Sequence, residues 1–116
     1  MSERKQALQE LRDKVVAREV HGRCLPAQVA FGPLAKLAWA AQDGSLDAAK
    51  ALHEAVLPGW LARPECGGAG AGVKFWGCTL EDWDTGARHD VHNMECPARA
   101  WLIAIIKALI AKEAGQ

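Results

Sequence analysis

Apolar residues recur three and four positions apart at the start of the chain. Ala7, Leu8, Leu11 and Val15 fall on one side of a helix predicted over Glu3–Val16, with charged residues on the other side. The stripe is thin, which suits a helix at the edge of a domain or one paired with a second copy. From Val20 to Phe31 no period holds, and Gly22, Pro26 and Gly32 interrupt the run. Gly32-Pro33 then reads as a helix entry with Pro at the first helical position, followed by a short stripe of Leu34, Leu37, Ala38 and Ala41. Asp43-Gly44-Ser45 is a turn that ends on a good N-cap. Asp47 in the first turn suits the helix dipole, and Leu46, Ala49, Leu52 and Val56 continue at helical spacing up to Pro58-Gly59.

The period then changes from helical to alternating. Trp60–Arg63 can extend, with Pro64 marking an edge position. Cys66–Gly72 reads as a flexible connection. Val73–Trp83 is the best strand candidate: Trp76, Cys78 and Leu80 point to one face, Val73 and Phe75 to the other. Asp84-Thr85-Gly86 is a hairpin signal, and Ala87–Asn93 returns as a third strand with Ala87, His89 and Val91 on one side. Pro97–Lys112 is a helix whose apolar positions, Trp101, Leu102, Ile105, Ile106 and Leu109 with Ile103 and Ile110, run most of the way round. Such a helix is either central to a core or covered by another chain, a homodimer being one such cover.

The fold class expected is therefore α+β: a short antiparallel three-stranded sheet packed by helices. Residues 43–113 form a helix–strand–strand–strand–helix core, and residues 1–42 a helical extension of the same single domain. At 116 residues and 12.5 kDa, one domain is the natural size. Fourteen Lys and Arg balance fourteen Asp and Glu, so the chain lacks the basic excess of a nucleic-acid binder. The polar start Met1–Gln6 is not followed by a secretory apolar run, and Trp101–Ile106 is too short to span a bilayer. A cytoplasmic protein without a membrane span is expected. In that compartment Cys24, Cys66, Cys78 and Cys96 are expected reduced and packed.

Two stretches, Ser45–Trp60 and Pro97–Leu109, with strands between them, resemble the phage ABA sandwich domain of small phage and prophage proteins. The resemblance covers roughly residues 43–112. It implies a phage or prophage origin and a fold, and carries no catalytic motif. The element order is also similar to that of double-stranded-RNA-binding domains. Those domains place a Lys cluster at the start of the last helix, where this chain has Pro97-Ala98-Arg99-Ala100.

Candidate chemistry is sparse. His89, His92 and Cys96, with His21 and Cys24 as a further pair, are the only metal candidates. No C-x-x-C knuckle accompanies them, so strand histidines beside a buried thiol are the expected reading, with no cofactor. The glycine-rich Cys66–Gly72 leads into Val73-Lys74-Phe75 and not into a Gly-Lys-Ser/Thr helix start, which excludes a phosphate loop. Cys78 alternates into the core. Cys96 precedes a helix, but neither cysteine has an orienting acid or oxyanion donors at recognisable spacing, so no enzyme is expected. Glu81, Asp82 and Asp84 bracket Trp83. An exposed Trp ringed by acids would be a protein-binding hot spot, and the acids could mimic phosphates in a basic groove. The balance of expectation puts Trp83 at a strand end in the core, with Trp39, Trp60, Trp76 and Trp101 also in the core. Glu81, Asp82, Trp83, Asp84 and Arg88 are nonetheless the candidate partner-binding residues. The expected function is that of a non-enzymatic, phage-derived accessory protein. It would bind a host or phage protein in a bacterial cytoplasm and inhibit a nucleoprotein defence complex, as anti-CRISPR proteins do. The alternative is a small zinc- or nucleic-acid-binding regulatory module.

Overall fold

Eleven residues from Leu46 to Val56 form a helix because Ser45 starts it and apolar residues line one side of it. The Ser45 hydroxyl accepts from the Ala48 backbone N–H at 3.1 Å, and Ala49 and Leu52 are buried. Such a cap stabilises a helix by about 1 kcal/mol. The structure, a computed structural model, describes residues 3–17, 25–68, 74–94 and 96–114. Its elements run α1 (Glu3–Ala17), α2 (Leu25–Phe31), a 3-10 turn (Gly32–Leu34), α3 (Ala35–Gln42), α4 (Leu46–Val56), β1 (Leu61–Gly68), β2 (Lys74–Glu81), β3 (Arg88–Met94) and α5 (Pro97–Ala114). The chain is thus an α+β protein with a three-stranded antiparallel sheet, as the alternation of periods predicts.

The middle layer is α5. The sheet packs on one side of it, mainly through β2 and β3, and α1, α3 and α4 pack on the other. Every residue from Ala100 to Ile106 is buried, so no side of the helix's middle turns faces solvent. Leu102, Ile105 and Ile106 are fully enclosed, each contributing about 1.5–3 kcal/mol relative to exposure. The apolar circumference that suggested a second chain is filled by this chain's own helices and sheet. Leu8, Leu11 and Val15 of α1 belong to the same core.

Three cations on the central and first helices reach distant backbone carbonyls. Arg99 donates to the Gln42 carbonyl at 2.6 Å and so caps the end of α3. Arg4 donates to Ala30 in the last turn of α2 at 3.1 Å. Positive charge at these carbonyl-bearing ends also complements the helix dipole. Lys107 donates to the Asp90 carbonyl of β3 at 2.8 Å. β1 and β3 are the edge strands, and Pro64, which has no backbone N–H to offer, discourages pairing of β1 with a further strand.

The register holds one irregularity. Cys78 pairs with Val91 and Trp76 with Met94, so β3 carries one extra residue between those pairs, a β-bulge. The Val91 carbonyl is thereby brought over Gly77, where an added Cβ would stand 2.6 Å from it. Only glycine fits that approach.

The structure departs from several sequence expectations. α2 occupies Leu25–Phe31, where no period was legible. β1 continues through Cys66 to Gly68, so the connection to β2 starts later than predicted, and residues 69–72 lie outside the described residues. β2 ends at Glu81, two residues before the predicted end at Trp83. Of the four tryptophans assigned to the core, Trp101 is buried. Trp39 and Trp60 are half-buried against the core's rim, and Trp76 is also half-buried. Large indoles are seldom fully enclosed in so small a domain.

Candidate interaction site

The β2–β3 hairpin ends in a four-residue loop, Trp83–Gly86, closed by two backbone hydrogen bonds. Asp82 N–H donates to the Ala87 carbonyl at 2.9 Å, and Gly86 N–H donates to the Asp82 carbonyl at 2.8 Å. Gly86 takes φ +75°, a left-handed conformation that glycine adopts without strain. The Asp82 carboxylate stops the strand by offering its own acceptors to the backbone. One oxygen accepts from Asp84 N–H at 3.1 Å, the other from the Thr85 hydroxyl at 2.9 Å. The Thr85 oxygen in turn accepts from Ala87 N–H at 3.3 Å. Every residue of the loop except Trp83 is thus held by a hydrogen bond inside the turn.

Trp83 is 74 % exposed. This corrects the expectation that it lies in the core. β2 ends at Glu81, so the alternation that turns Cys78 and Leu80 inward no longer governs Trp83, which stands on the turn beyond the strand. Glu81, Asp82, Trp83, Gly86 and Arg88 line one shallow concavity of about 270 Å³. Four of the five predicted partner-binding residues therefore meet at one place, and exposed Asp84 stands beside them on the loop.

Behind the tip, the sheet face turned away from α5 carries a polar ladder. Arg63 pairs with Glu81 across β1 and β2 at 3.5 Å, and Arg88 with Asp90 along β3 at 3.1 Å. The Asp90 carboxyl is held below its ordinary pKa, first by a hydrogen bond from Thr79, which outweighs the opposing effect of burial, with Arg88 and the nearby His92 lowering it further. Both guanidiniums beside the tip are engaged by carboxylates, leaving Asp82 and Asp84 as local excess negative charge.

The metal candidates do not converge. His89 shares the helix-facing side of β3 with Val91 and stacks on Trp60, ring centroids 6.0 Å apart and planes 19° apart. Its pKa is lowered by burial first and by the Lys107 charge second, with Asp90 opposing. His92 is exposed on the opposite side, its Nδ1 near Gly77. Cys96 is a half-buried free thiol near Gly44, and Cys78 a buried free thiol. His21 and Cys24 lie outside the described residues. Among the described residues no three His, Cys, Asp or Glu side chains gather as metal ligands would.

Sequence reasoning overlooked His53. It is buried in α4, and its Nδ1 accepts from the Trp101 indole N–H at 3.3 Å. Nε2 must then carry the proton and donates to the Trp60 carbonyl at 2.9 Å. The signal was present, since His53 lies four positions after Ala49 on the apolar side of α4. Its role is packing: it joins α4 to α5 and to the start of β1.

Among the described residues no helix is long and apolar enough to cross a membrane. Comparison with family models, with curated proteins and with solved structures finds no match to this chain.

Proposed function

We propose that this chain is a non-enzymatic binding protein that docks on another protein through the β2–β3 hairpin tip, with Trp83 as the anchor. One observation carries the reading: a tryptophan 74 % exposed on a turn that its neighbours' hydrogen bonds hold in one shape. Exposed tryptophan is the side chain most enriched at the energetic centres of protein interfaces. A turn already ordered before binding reduces the entropy lost on docking. The other routes to a partner are less open. The apolar sides of α5 are filled, and Pro64 interrupts the β1 edge of the sheet.

The phage ABA sandwich resemblance supplies the proposed context. The chain would be an accessory protein of phage or prophage origin, acting in the cytoplasm of a bacterial host on a host or phage protein. Inhibition of a nucleoprotein defence complex is the form this action would take. The zinc- or nucleic-acid-binding alternative has weaker support. His89 and His92 point to opposite sides of β3, and Arg99, the one base at the start of α5, is engaged with the Gln42 carbonyl.

The test is paired capture from bacterial lysate with the full chain and with Trp83→Ala. A hot-spot tryptophan is worth about 2 kcal/mol or more in binding, roughly a thirtyfold change in affinity. A protein retained by the wild type and lost with Trp83→Ala, at unchanged melting temperature, is the expected result. Equal retention of every captured protein by both forms would remove the reading.

A further inference from the structure

We infer that the surface recognised by the hairpin tip is basic, and that an arginine side chain of the partner protein stacks on the Trp83 ring. The inference rests on the docking reading above and gives it a partner chemistry. Three observations lead to it.

The first is the exposed ring itself. The face of an indole carries negative quadrupole density and attracts guanidinium and ammonium groups. Trp83 leaves about three quarters of its surface to solvent.

The second is the charge around the ring. Glu81, Asp82, Asp84 and Asp90 surround the tip and its base, against Arg63 and Arg88. Both arginines already face carboxylates, Arg63 with Glu81 and Arg88 with Asp90. The field at the ring is therefore negative, from the two carboxylates on either side of Trp83 in the chain. It steers a cation inward and repels a phosphate backbone.

The third is division of labour between those two acids. Asp82 is occupied in holding the turn, with both oxygens accepting from within the loop. The exposed Asp84 side chain has no such duty, and only its backbone N–H takes part in the turn. It can pair with the edge of a guanidinium whose flat face lies on the indole. Arginine suits this better than lysine, because its plane stacks while its rim donates.

The test uses the ¹⁵N-labelled full chain and follows the indole N–H signals of its five tryptophans. The Trp83 signal is the one missing from Trp83→Leu. The probes are a capped peptide of alternating glycine and arginine and the same peptide with neutral citrulline in place of arginine. The arginine peptide is expected to move the Trp83 signal saturably. It should bind about two- to fivefold tighter than the citrulline peptide, the effect of one exposed cation–π contact. Asp84→Asn and added salt should both shrink the difference. Equal binding of the two peptides, or a Trp83 signal that neither moves, overturns the inference.

Lysate capture separates the two readings. Retention that depends on Trp83 but is indifferent to Asp84→Asn and salt, with no peptide preference, leaves the docking site standing and removes the arginine. Retention independent of Trp83, with the peptide preference intact, removes the docking reading and leaves a cation-binding tip.

Discussion

Replacing Gly77 with alanine tests whether the bulge in β3 sets the identity of the residue beneath it. An alanine Cβ there would lie 2.6 Å from the Val91 carbonyl oxygen, whereas ordinary contact begins at 3.4 Å, a shortfall of 0.8 Å. The obstructing atom is backbone in a paired strand, so no rotamer change relieves the clash. Either β3 moves away from β2 or the bulge is rearranged, and both loosen the sheet against α5. Forcing a methyl into a packed site costs about 1–3 kcal/mol. A chain of 116 residues unfolds with an entropy of about 0.24 kcal/mol/K, so Gly77→Ala should lower the melting temperature by about 4–12 °C. Thermal and urea unfolding followed by tryptophan fluorescence measure this directly. Gly86→Ala serves as a contrast. Space is open there, and the cost of about 1–2 kcal/mol arises from its positive φ. Asparagine, which tolerates left-handed backbone, should recover part of the loss at position 86 and none at position 77. A Gly77→Ala protein that melts with the wild type, or that Asn improves on, would refute the steric account.

Three further outcomes follow from the same geometry. His53→Leu leaves the buried Trp101 N–H without its partner, at about 1–3 kcal/mol, and the half-buried Trp60 carbonyl at less; urea unfolding reads the loss, and a neutral result would mean that water replaces the ring. His89 has its pKa lowered in the fold, so the unfolded chain binds its proton more readily. Stability should be whole above the ordinary histidine value near 6.5 and fall as pH drops from there through the lowered value. His89→Phe should flatten that slope in melting curves taken from about pH 7.5 to 5. Arg99→Met removes a charged cap from the end of α3 and should cost about 1–2 kcal/mol, measured as a shift in urea midpoint with the slope unchanged.

What the sequence disclosed, and what it withheld, follows the range of the interaction responsible. Ser45 capping α4, the alternation of Cys78 and Leu80, and the turn at Asp84-Thr85-Gly86 are decided by residues a few positions apart, and all were legible. The seven residues of α2 hold only Val29 and Phe31 beyond Leu25, with alanines facing α1, which is too little pattern to register. The glycines at positions 67 and 68 masked the end of β1, because a glycine in a strand looks like a glycine in a loop. Trp83 was misjudged because the strand was read as running through it, whereas β2 ends at Glu81 and leaves the indole on the turn. The meeting of Arg99 with Gln42, and of His53 with Trp101, joins residues 57 and 48 positions apart. No local pattern announces such pairs. The candidate site was legible as a set, because it lies on one hairpin; its exposure and its hydrogen-bonded turn needed the fold.

The position of α5 has a consequence for the timing of synthesis. The sheet meets α1, α3 and α4 almost entirely through this helix, and this helix is made after all of them. A ribosome that has released residues up to the hairpin has produced a sheet and a set of helices that each pack within themselves but lack the helix that joins one to the other. α1 can pack on α2 early, but Leu8, Leu11 and Val15 complete their core only once α5 is clear of the exit tunnel. The helices and the sheet must therefore stay apart, each with an uncovered apolar side, until α5 has been made. Substitutions that slow the emergence or weaken the helicity of Pro97–Ala114 should reduce the yield of folded protein more than they reduce the stability of the molecules that succeed.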